Sequence, residues 1–202
     1  MLTELVIYIH GKGGTAEEAE HYRALFPEAE VLGFDYQSRT PWEAEAEFQA
    51  YYDNVEAGHG PVYVIANSIG AFFAMCALSG KKIHQAFFIS PIADMEKLIL
   101  NMMSWAKVTE AELREKKEIA TDFGEKLSWE YLNYVRQNPT KWTVPTHVLY
   151  GTNDQLMPRE VIAGFVEKIG GTLTVMEGGE HWFHTEEQMA FLDNWIVKVS
   201  GK

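Results

Sequence analysis

The stretch Val62-Tyr63-Val64-Ile65-Ala66-Asn67-Ser68-Ile69-Gly70 runs from an apolar strand pattern directly into the helical pattern of residues 71–78. A serine at such a strand-to-helix turn presents its hydroxyl outward on a sharp bend. A Cβ two positions away would collide with the neighbouring chain, so a small residue is needed on either side. Gly70 meets this need fully and Ala66 partly. The pattern predicts that Ser68 is a nucleophile, although an ordinary strand-to-helix turn would also produce it.

Further short apolar runs alternate with amphipathic stretches, and they cover residues 5–9, 29–34, 86–89, 147–150 and 173–176. Apolar strands separated by helices are typical of a parallel sheet that is covered on both faces. Capping-box patterns mark helix starts at Thr15, Thr109 and Thr185. We therefore expect an α/β protein with three layers, α/β/α, and a mainly parallel sheet of about six strands.

One interval breaks this rhythm. About 50 residues with helical patterning and no strand pattern lie between the strand ending at Ile89-Ser90 and the one beginning near Pro145. The interval leaves the sheet at a carboxyl end, the edge where open α/β sheets bind ligands. We expect a single domain over residues 1–202, with a small helical cap inserted at about residues 95–142.

Composition excludes several classes of protein. The chain of 202 residues has a formal net charge of −12 and a pI near 5.0, with no basic stripe, which argues against nucleic-acid binding. Cys76 is the only cysteine, so no disulfide forms within the chain. We see neither a secretory signal pattern nor an apolar segment of membrane-spanning length, and we expect a cytoplasmic protein with no membrane partner.

Two more polar motifs follow predicted strands. Asp154 lies in a tight loop after the strand that ends at Tyr150, and His181 lies after the strand that ends at Met176. Taken alone, Asp154 fits a turn residue and His181 a loop residue. Together with Ser68 they give the order Ser, Asp, His, each beyond the carboxyl end of a strand, as in a nucleophile-elbow hydrolase. We interpret the three as a catalytic triad.

Two other residues are weaker candidates for these roles. His184 could replace His181 as the base, but it precedes a helix start at Thr185 and fits a cap or surface residue better. Asp94 could replace Asp154, but it fits a turn or hinge residue better. No cluster of Cys and His side chains indicates a metal site.

At these residues the chain resembles the α/β-hydrolase fold superfamily, and most of all its small bacterial members that lack the first two strands. His10-Gly11-Lys12-Gly13-Gly14 is similar to the oxyanion loop of that family. Gly151-x-x-Asp154-x-x-x-Pro158 is similar to its acid loop, and Gly179-Glu180-His181-Trp182-Phe183 to its histidine loop. Ala66 departs from the family, which usually has Gly at this position.

The resemblance implies a serine hydrolase that cleaves a small carboxylic ester or thioester through an acyl-enzyme intermediate. Ser68 would attack the carbonyl, His181 would take its proton, and Asp154 would orient the imidazole. The backbone N–H groups of Lys12 and Ile69 would hold the oxyanion. The partner would be a small-molecule acyl substrate, and no cofactor or metal is required. The type of bond cleaved and the oligomeric state stay open.

The resemblance also implies an acyl pocket, whose lining residues the sequence identifies less sharply. Met102, Met103 and Trp105 lie near the start of the expected cap and carry large apolar side chains. Trp182 adjoins the candidate histidine. We expect these four residues to contact the substrate.

Two alternative functions remain open at this point. Residues 11–16 match G-x-G-x-x-A between a strand and a helix, and Asp35 ends the next strand, as in a dinucleotide-binding oxidoreductase. That hypothesis leaves Ser68, Asp154 and His181 unexplained. The second alternative is a hydrolase-like fold that serves as a non-catalytic binding module.

Overall fold

A computed structural model describes residues 2–201 as an α/β structure. Its strands are β1 (Glu4–Ile9), β2 (Ala29–Phe34), β3 (Val62–Asn67), β4 (Gln85–Ile89), β5 (Glu118–Ala120), β6 (Lys126–Ser128), β7 (Thr146–Gly151) and β8 (Thr172–Met176). Its α-helices are α1 (Ala19–Arg23), α2 (Pro41–Val55), α3 (Ser68–Ala77), α4 (Met95–Trp105), α5 (Glu110–Lys116), α6 (Trp129–Gln137), α7 (Arg159–Ile169) and α8 (Glu186–Ser200). A short 3-10 helix (Ala16–Glu18) precedes α1.

The main sheet has six strands in the order β2-β1-β3-β4-β7-β8, and every pair is parallel. This confirms the predicted fold class. Ile9, at the end of β1, pairs with both Phe34 and Ala66, and Gly151 pairs with Met176. The loops that follow these strands therefore emerge at one edge of the sheet. In the dinucleotide-binding order, 3-2-1-4-5-6, the second and third strands lie on the same side of the first, whereas here β2 and β3 flank β1.

Apolar side chains on both faces hold the sheet between its helices. On one face Tyr8, Ile65 and Phe87 pack with residues of α1 and α8, including Trp195. Phe48 of α2 meets Phe73 of α3 edge to face, with ring centroids 6.1 Å apart. Burial on both faces explains why the strands read as near-continuous apolar runs.

The chain divides into two compact units, one of residues 2–93 and 141–201 and one of Asp94–Thr140. The second unit contains α4, α5, α6 and a hairpin of β5 and β6. Our expectation that this interval has no strand is therefore wrong. Each hairpin strand has only three residues, and half of the six are charged or hydroxylated, so no apolar alternation marks them. Gly124, with φ 84°, closes the hairpin loop.

Within residues 2–201, no helix combines the length and the apolar character that crossing a bilayer requires.

Candidate active site

The turn at Ser68 is sharp and strained. β3 ends at Asn67 and α3 begins at Ser68, whose φ of 50° lies in the left-handed region that favours glycine. A Cβ on Gly70 would lie 2.3 Å from the carbonyl oxygen of His10, so β1 passes too close to α3 for any side chain there. Ala66 is fully buried and is accommodated in the strand. This is the geometry of a nucleophile elbow.

Ser68 lies at one end of a chain of hydrogen bonds. Its Oγ is 2.8 Å from Nε2 of His181, and Nδ1 of His181 is 2.7 Å from Oδ2 of Asp154. The Asp154 side chain is fully buried, and its Oδ1 accepts hydrogen bonds from the backbone N–H groups of Leu156 and Met157. The three predicted residues thus come together from three separate strand ends. With a proton on Nδ1, the imidazole offers Nε2 as an acceptor to the serine hydroxyl.

The acid loop and the histidine loop are fastened to each other. The N–H of Asn153 donates to the carbonyl of Gly179 at 2.8 Å, and the N–H of Gly178 donates to Oγ1 of Thr152 at 2.8 Å. A Cβ on Gly151 would lie 2.3 Å from the carbonyl oxygen of Gly179. This close approach fixes the distance between Asp154 and His181.

The loop after β1 lies against the nucleophile. A Cβ on Gly11 would be 3.2 Å from Cβ of Ser68. The carbonyl of Gly11 accepts hydrogen bonds from Gly14 N–H at 3.1 Å and from Nδ1 of His10 at 2.8 Å, which makes a tight turn around Lys12. Ile69 lies in the first turn of α3, where backbone N–H groups have no partner within the helix. Lys12 and Ile69 are therefore both placed beside Ser68.

Comparisons with known proteins identify the fold. No protein-family model and no curated protein sequence matches the chain, but solved structures do. One is α/β hydrolase domain-containing protein 10 from mouse, with a TM-score of 0.75 and 17% identity over 98% of this chain and 89% of that one. Another is Est1E from Butyrivibrio proteoclasticus, with a TM-score of 0.75 and 18% identity over 98% of this chain and 87% of that one. A third is monoacylglycerol lipase from Paleococcus ferrophilus, with a TM-score of 0.64 and 15% identity over 96% of this chain and 94% of that one. The chain has the α/β-hydrolase fold.

In this hydrolase fold a pocket of about 520 Å³ opens beside Ser68, and it is built within the first unit. Apolar and aromatic side chains form much of its lining, namely Tyr8, Tyr22, Ile89, Trp182, Phe183, Met189 and Leu192. Glu18 and His21 add polar groups. A pocket of this size and composition fits a small organic molecule.

Our sequence analysis missed a second hydrogen-bonded chain next to the nucleophile. Nδ2 of Asn67 donates to the hydroxyl of Tyr8 at 2.9 Å, and that hydroxyl donates to Oε2 of Glu18. Burial, together with the neighbouring Tyr22 and Glu18, raises the pKa of Tyr8 far above its ordinary value, so the hydroxyl keeps its proton. The only sequence signal was the pattern Thr15-x-x-Glu18, which we interpreted as a helix cap.

The weaker candidates occupy structural positions in the hydrolase fold. Nδ1 of His184 lies 2.7 Å from the carbonyl oxygen of Trp182. The backbone N–H of His184 donates to Oε1 of Gln188 at the start of α8. Oδ1 of Asp94 accepts the N–H of Lys97 at 2.8 Å and caps α4. Neither side chain takes part in the hydrogen bonds that join Ser68, His181 and Asp154.

The remaining predicted pocket residues separate into two groups. Trp182 lines the pocket and is 69% exposed. Met102, Met103 and Trp105 lie on α4 in the second unit, where Trp105 meets Phe123 edge to face. Their contact with a substrate, like the cap that we expect at about residues 95–142, stays a prediction.

Neither a metal centre nor a second nucleophile stands out beside this site. Residues 2–201 contain no group of three or more His, Cys, Asp or Glu side chains placed to hold a metal ion. Burial raises the pKa of the Cys76 thiol to about 12, so it stays protonated and unreactive at neutral pH.

Proposed function

We propose that the protein is a serine hydrolase that cleaves a small carboxylic ester or thioester. The observation that carries this proposal is the hydrogen-bonded chain from Ser68 Oγ through His181 to Asp154. In acyl transfer this arrangement makes a serine hydroxyl nucleophilic and returns its proton to the leaving group. The esterase and lipase among the similar structures add support from likeness of fold.

The reaction would proceed in two halves. Oγ of Ser68 forms a bond to the substrate carbonyl while Nε2 of His181 takes the hydroxyl proton. The tetrahedral oxyanion accepts hydrogen bonds from the backbone N–H groups of Lys12 and Ile69. Collapse breaks the bond to the alcohol or thiol, which leaves with the proton from His181. Water then attacks the acyl-enzyme with His181 again as the base, and the carboxylic acid and free Ser68 are released.

Throughout both halves, the side chain of Asp154 stays in place. Its carboxylate is buried and accepts two backbone N–H groups as well as Nδ1–H of His181. It therefore holds the imidazole in the productive tautomer and stabilises the imidazolium that forms.

We further propose that the substrate is a free small molecule rather than nucleic acid or a membrane lipid. The net charge of −12 disfavours polyanions, and the pocket volume of about 520 Å³ limits the acyl compound to a small or medium size.

The direct test is labelling with a fluorophosphonate together with hydrolysis of p-nitrophenyl esters of graded chain length. We expect labelling of Ser68 and turnover of short or medium esters. Ethyl ferulate joins the panel because a solved structure shows ferulic acid bound to Est1E. Ser68→Ala should abolish both labelling and hydrolysis, whereas Ser104→Ala, at an exposed serine on α4, should change neither. Labelling elsewhere, or full activity in Ser68→Ala, would contradict the proposal.

A further inference from the structure

Glu18 is the one carboxylate that lines the pocket beside Ser68 among residues 2–201. The buried aromatic residues Tyr8 and Tyr22 line the same pocket. An acyl pocket that received only alkyl chains would gain nothing from a carboxylate, because an apolar group would have to displace its water without replacing the lost hydrogen bonds. Glu18 completes the capping box of the 3-10 helix, and its position in the pocket lining also places a carboxylate where a ligand would meet it.

Glu18 is held in place but is not saturated. Oε1 accepts the N–H of Thr15 at 3.3 Å, and Oε2 accepts the hydroxyl of Tyr8. A carboxylate offers about four acceptor positions, so acceptor capacity remains for a ligand in the pocket. Because these two bonds come from the protein, the side chain is oriented before any ligand binds.

The direction of the bond between Tyr8 and Glu18 is determined by Asn67. Nδ2 of Asn67 donates to the Tyr8 oxygen at 2.9 Å, so the tyrosine proton is directed to Glu18. The tyrosine keeps this proton because burial raises its pKa. Glu18 thus faces the pocket as an acceptor, and Tyr8 links it to Asn67, the residue that precedes the nucleophile.

The neighbouring charges favour a hydrogen-bond donor over an anion. His21 also lines this wall, and its Nε2 lies 2.6 Å from Oδ1 of Asp193. Lys12 lines the pocket as well and is its only lysine or arginine within residues 2–201, against a net charge of −12 for the chain. An anionic group beside Glu18 would meet a like charge, while a hydroxyl or ammonium group would find a charged acceptor.

We propose that Glu18, oriented by Tyr8, forms a polar subsite that accepts a hydrogen bond from a hydroxyl or ammonium group on the ester substrate. The natural substrate is then an ester of a hydroxylated or aminated compound and not a plain fatty acyl ester. This inference rests on the proposed function, since the subsite is defined relative to Ser68.

The test compares substrates that match in size. One set contains p-nitrophenyl esters of 6-hydroxyhexanoic, 6-aminohexanoic, heptanoic and adipic acid, so that the far end carries a hydroxyl, an ammonium, a methyl or a carboxylate. The second set contains butanoates of 1,4-butanediol, 4-aminobutanol and pentanol, which place the same groups on the alcohol side. The value of kcat/KM is measured for wild type, Glu18→Gln and Glu17→Gln. Glu17 is the matched control because it is the adjacent exposed glutamate and does not line the pocket.

We expect wild type to prefer the hydroxyl or ammonium ester over the methyl ester by about tenfold or more in at least one set. Glu18→Gln should reduce this preference to within about twofold for the ammonium ester, whose partner loses its charge, and weaken it for the hydroxyl ester. Glu17→Gln should keep it. The hydroxyl and ammonium arms identify which donor the subsite takes.

Three results would overturn the inference. Equal use of the hydroxyl, ammonium and methyl esters by wild type in both sets would exclude a donor-binding subsite. A preference that is as large in Glu18→Gln as in wild type would assign it to another residue. An equal loss on every ester in Glu18→Gln would show a positioning role only. In these cases Ser68 would still be labelled and the methyl esters hydrolysed, whereas absence of both would overturn the proposed function as well.

Discussion

Ser68 occupies a backbone conformation that a residue with a Cβ normally avoids. A φ of 50° costs of order 1 kcal/mol or more for a residue other than glycine, and the surrounding packing must hold it there. That packing is the close approach of β1 to α3, which only the missing side chain of Gly70 permits. The strained backbone at Ser68 and the missing side chain at Gly70 together expose the Oγ of Ser68.

Gly70→Ala tests whether the close approach of β1 to α3 holds the turn at Ser68. The added Cβ would lie 2.3 Å from the carbonyl oxygen of His10 and 2.9 Å from Cγ2 of Ile9, so the elbow must shift. We expect a loss of about 2–3 kcal/mol in the free energy of unfolding, measured in urea, together with loss of fluorophosphonate labelling.

The matched control is Gly164→Ala. Gly164 lies inside α7, and a Cβ there would meet nothing within 4 Å. The substitution should raise the free energy of unfolding by about 0.5–1 kcal/mol and leave labelling unchanged. A Gly70→Ala protein with the stability and labelling of wild type would exclude the close approach as the cause.

Alanine substitutions at His181 and His184 test which of the two histidines is the base. His181→Ala should lower kcat for ester hydrolysis about a thousandfold or more, and Asp154→Asn somewhat less, because the imidazole keeps its position but loses its tautomer. Combining the two should lower kcat little further, since the residues act as a unit.

His184→Ala is the control, because its ring contacts Trp182 and Glu180 rather than Ser68. It should keep most of the wild-type kcat. An inactive His184→Ala beside an active His181→Ala would show that the wrong histidine had been assigned.

At the scale of residues, the sequence predicted those groups whose position follows from strand ends. Ser68, Asp154 and His181 each follow an apolar run, and the carboxyl ends of parallel strands meet at one edge. Tyr8 and Glu18 could not be found in this way. Tyr8 lies within the apolar run of residues 5–9, and its contact with Glu18 depends on how β1 and the 3-10 helix approach each other.

At the scale of elements, helices with a capping pattern at their N-terminus could be predicted from the sequence. Thr109 and Thr185 cap the N-termini of α5 and α8, as their capping patterns indicated. The helix α2 has the same signal, with Thr40 accepting the N–H of Glu43 and Pro41 at its first position, but our sequence analysis did not recognise it. The hairpin of β5 and β6 gave no signal, because its strands are too short to show alternation.

Arg136 joins three elements of the second unit. Its Nε donates to Glu96 of α4 at 2.7 Å, and Nη1 and Nη2 donate to Glu110 of α5 at 2.8 and 3.0 Å. These hydrogen bonds lower the pKa of Glu110 below its ordinary value of 4.5. A lowered carboxyl pKa stabilises the folded state above that ordinary value, and the effect is lost as the pH falls through the lowered pKa.

Arg136→Gln should therefore lower the thermal midpoint at pH 7, and the difference from wild type should shrink steadily below about pH 4.5. Circular dichroism melts from pH 7 to pH 3 measure this. Lys141→Gln, at an exposed residue, controls for the loss of one positive charge. A difference that is constant with pH would mean that Arg136 stabilises the unit by packing alone.

At the scale of the whole molecule, the alternation of strands and helices predicted the parallel sheet, and the long interval predicted a small helical cap at about residues 95–142 within a single domain. The structure has a second compact unit at Asp94–Thr140, and its role as a cap stays a prediction. The order of the strands was not readable from apolar runs, because every strand is buried on both faces and each would fit beside any other. The structure supplies the order.

The net charge of −12 predicts how the whole molecule treats charged substrates. A negative field repels an anionic ester and leaves a neutral ester unaffected, and salt screens the repulsion with a Debye length of about 10 Å at 0.1 M. Between 0.01 and 0.5 M NaCl, kcat/KM for the p-nitrophenyl ester of adipic acid should therefore rise by roughly threefold, while that for the heptanoate stays constant. A fall for the adipate ester would show that Lys12, which lines the pocket, governs the local field. The charge of one loop residue would then outweigh that of the molecule.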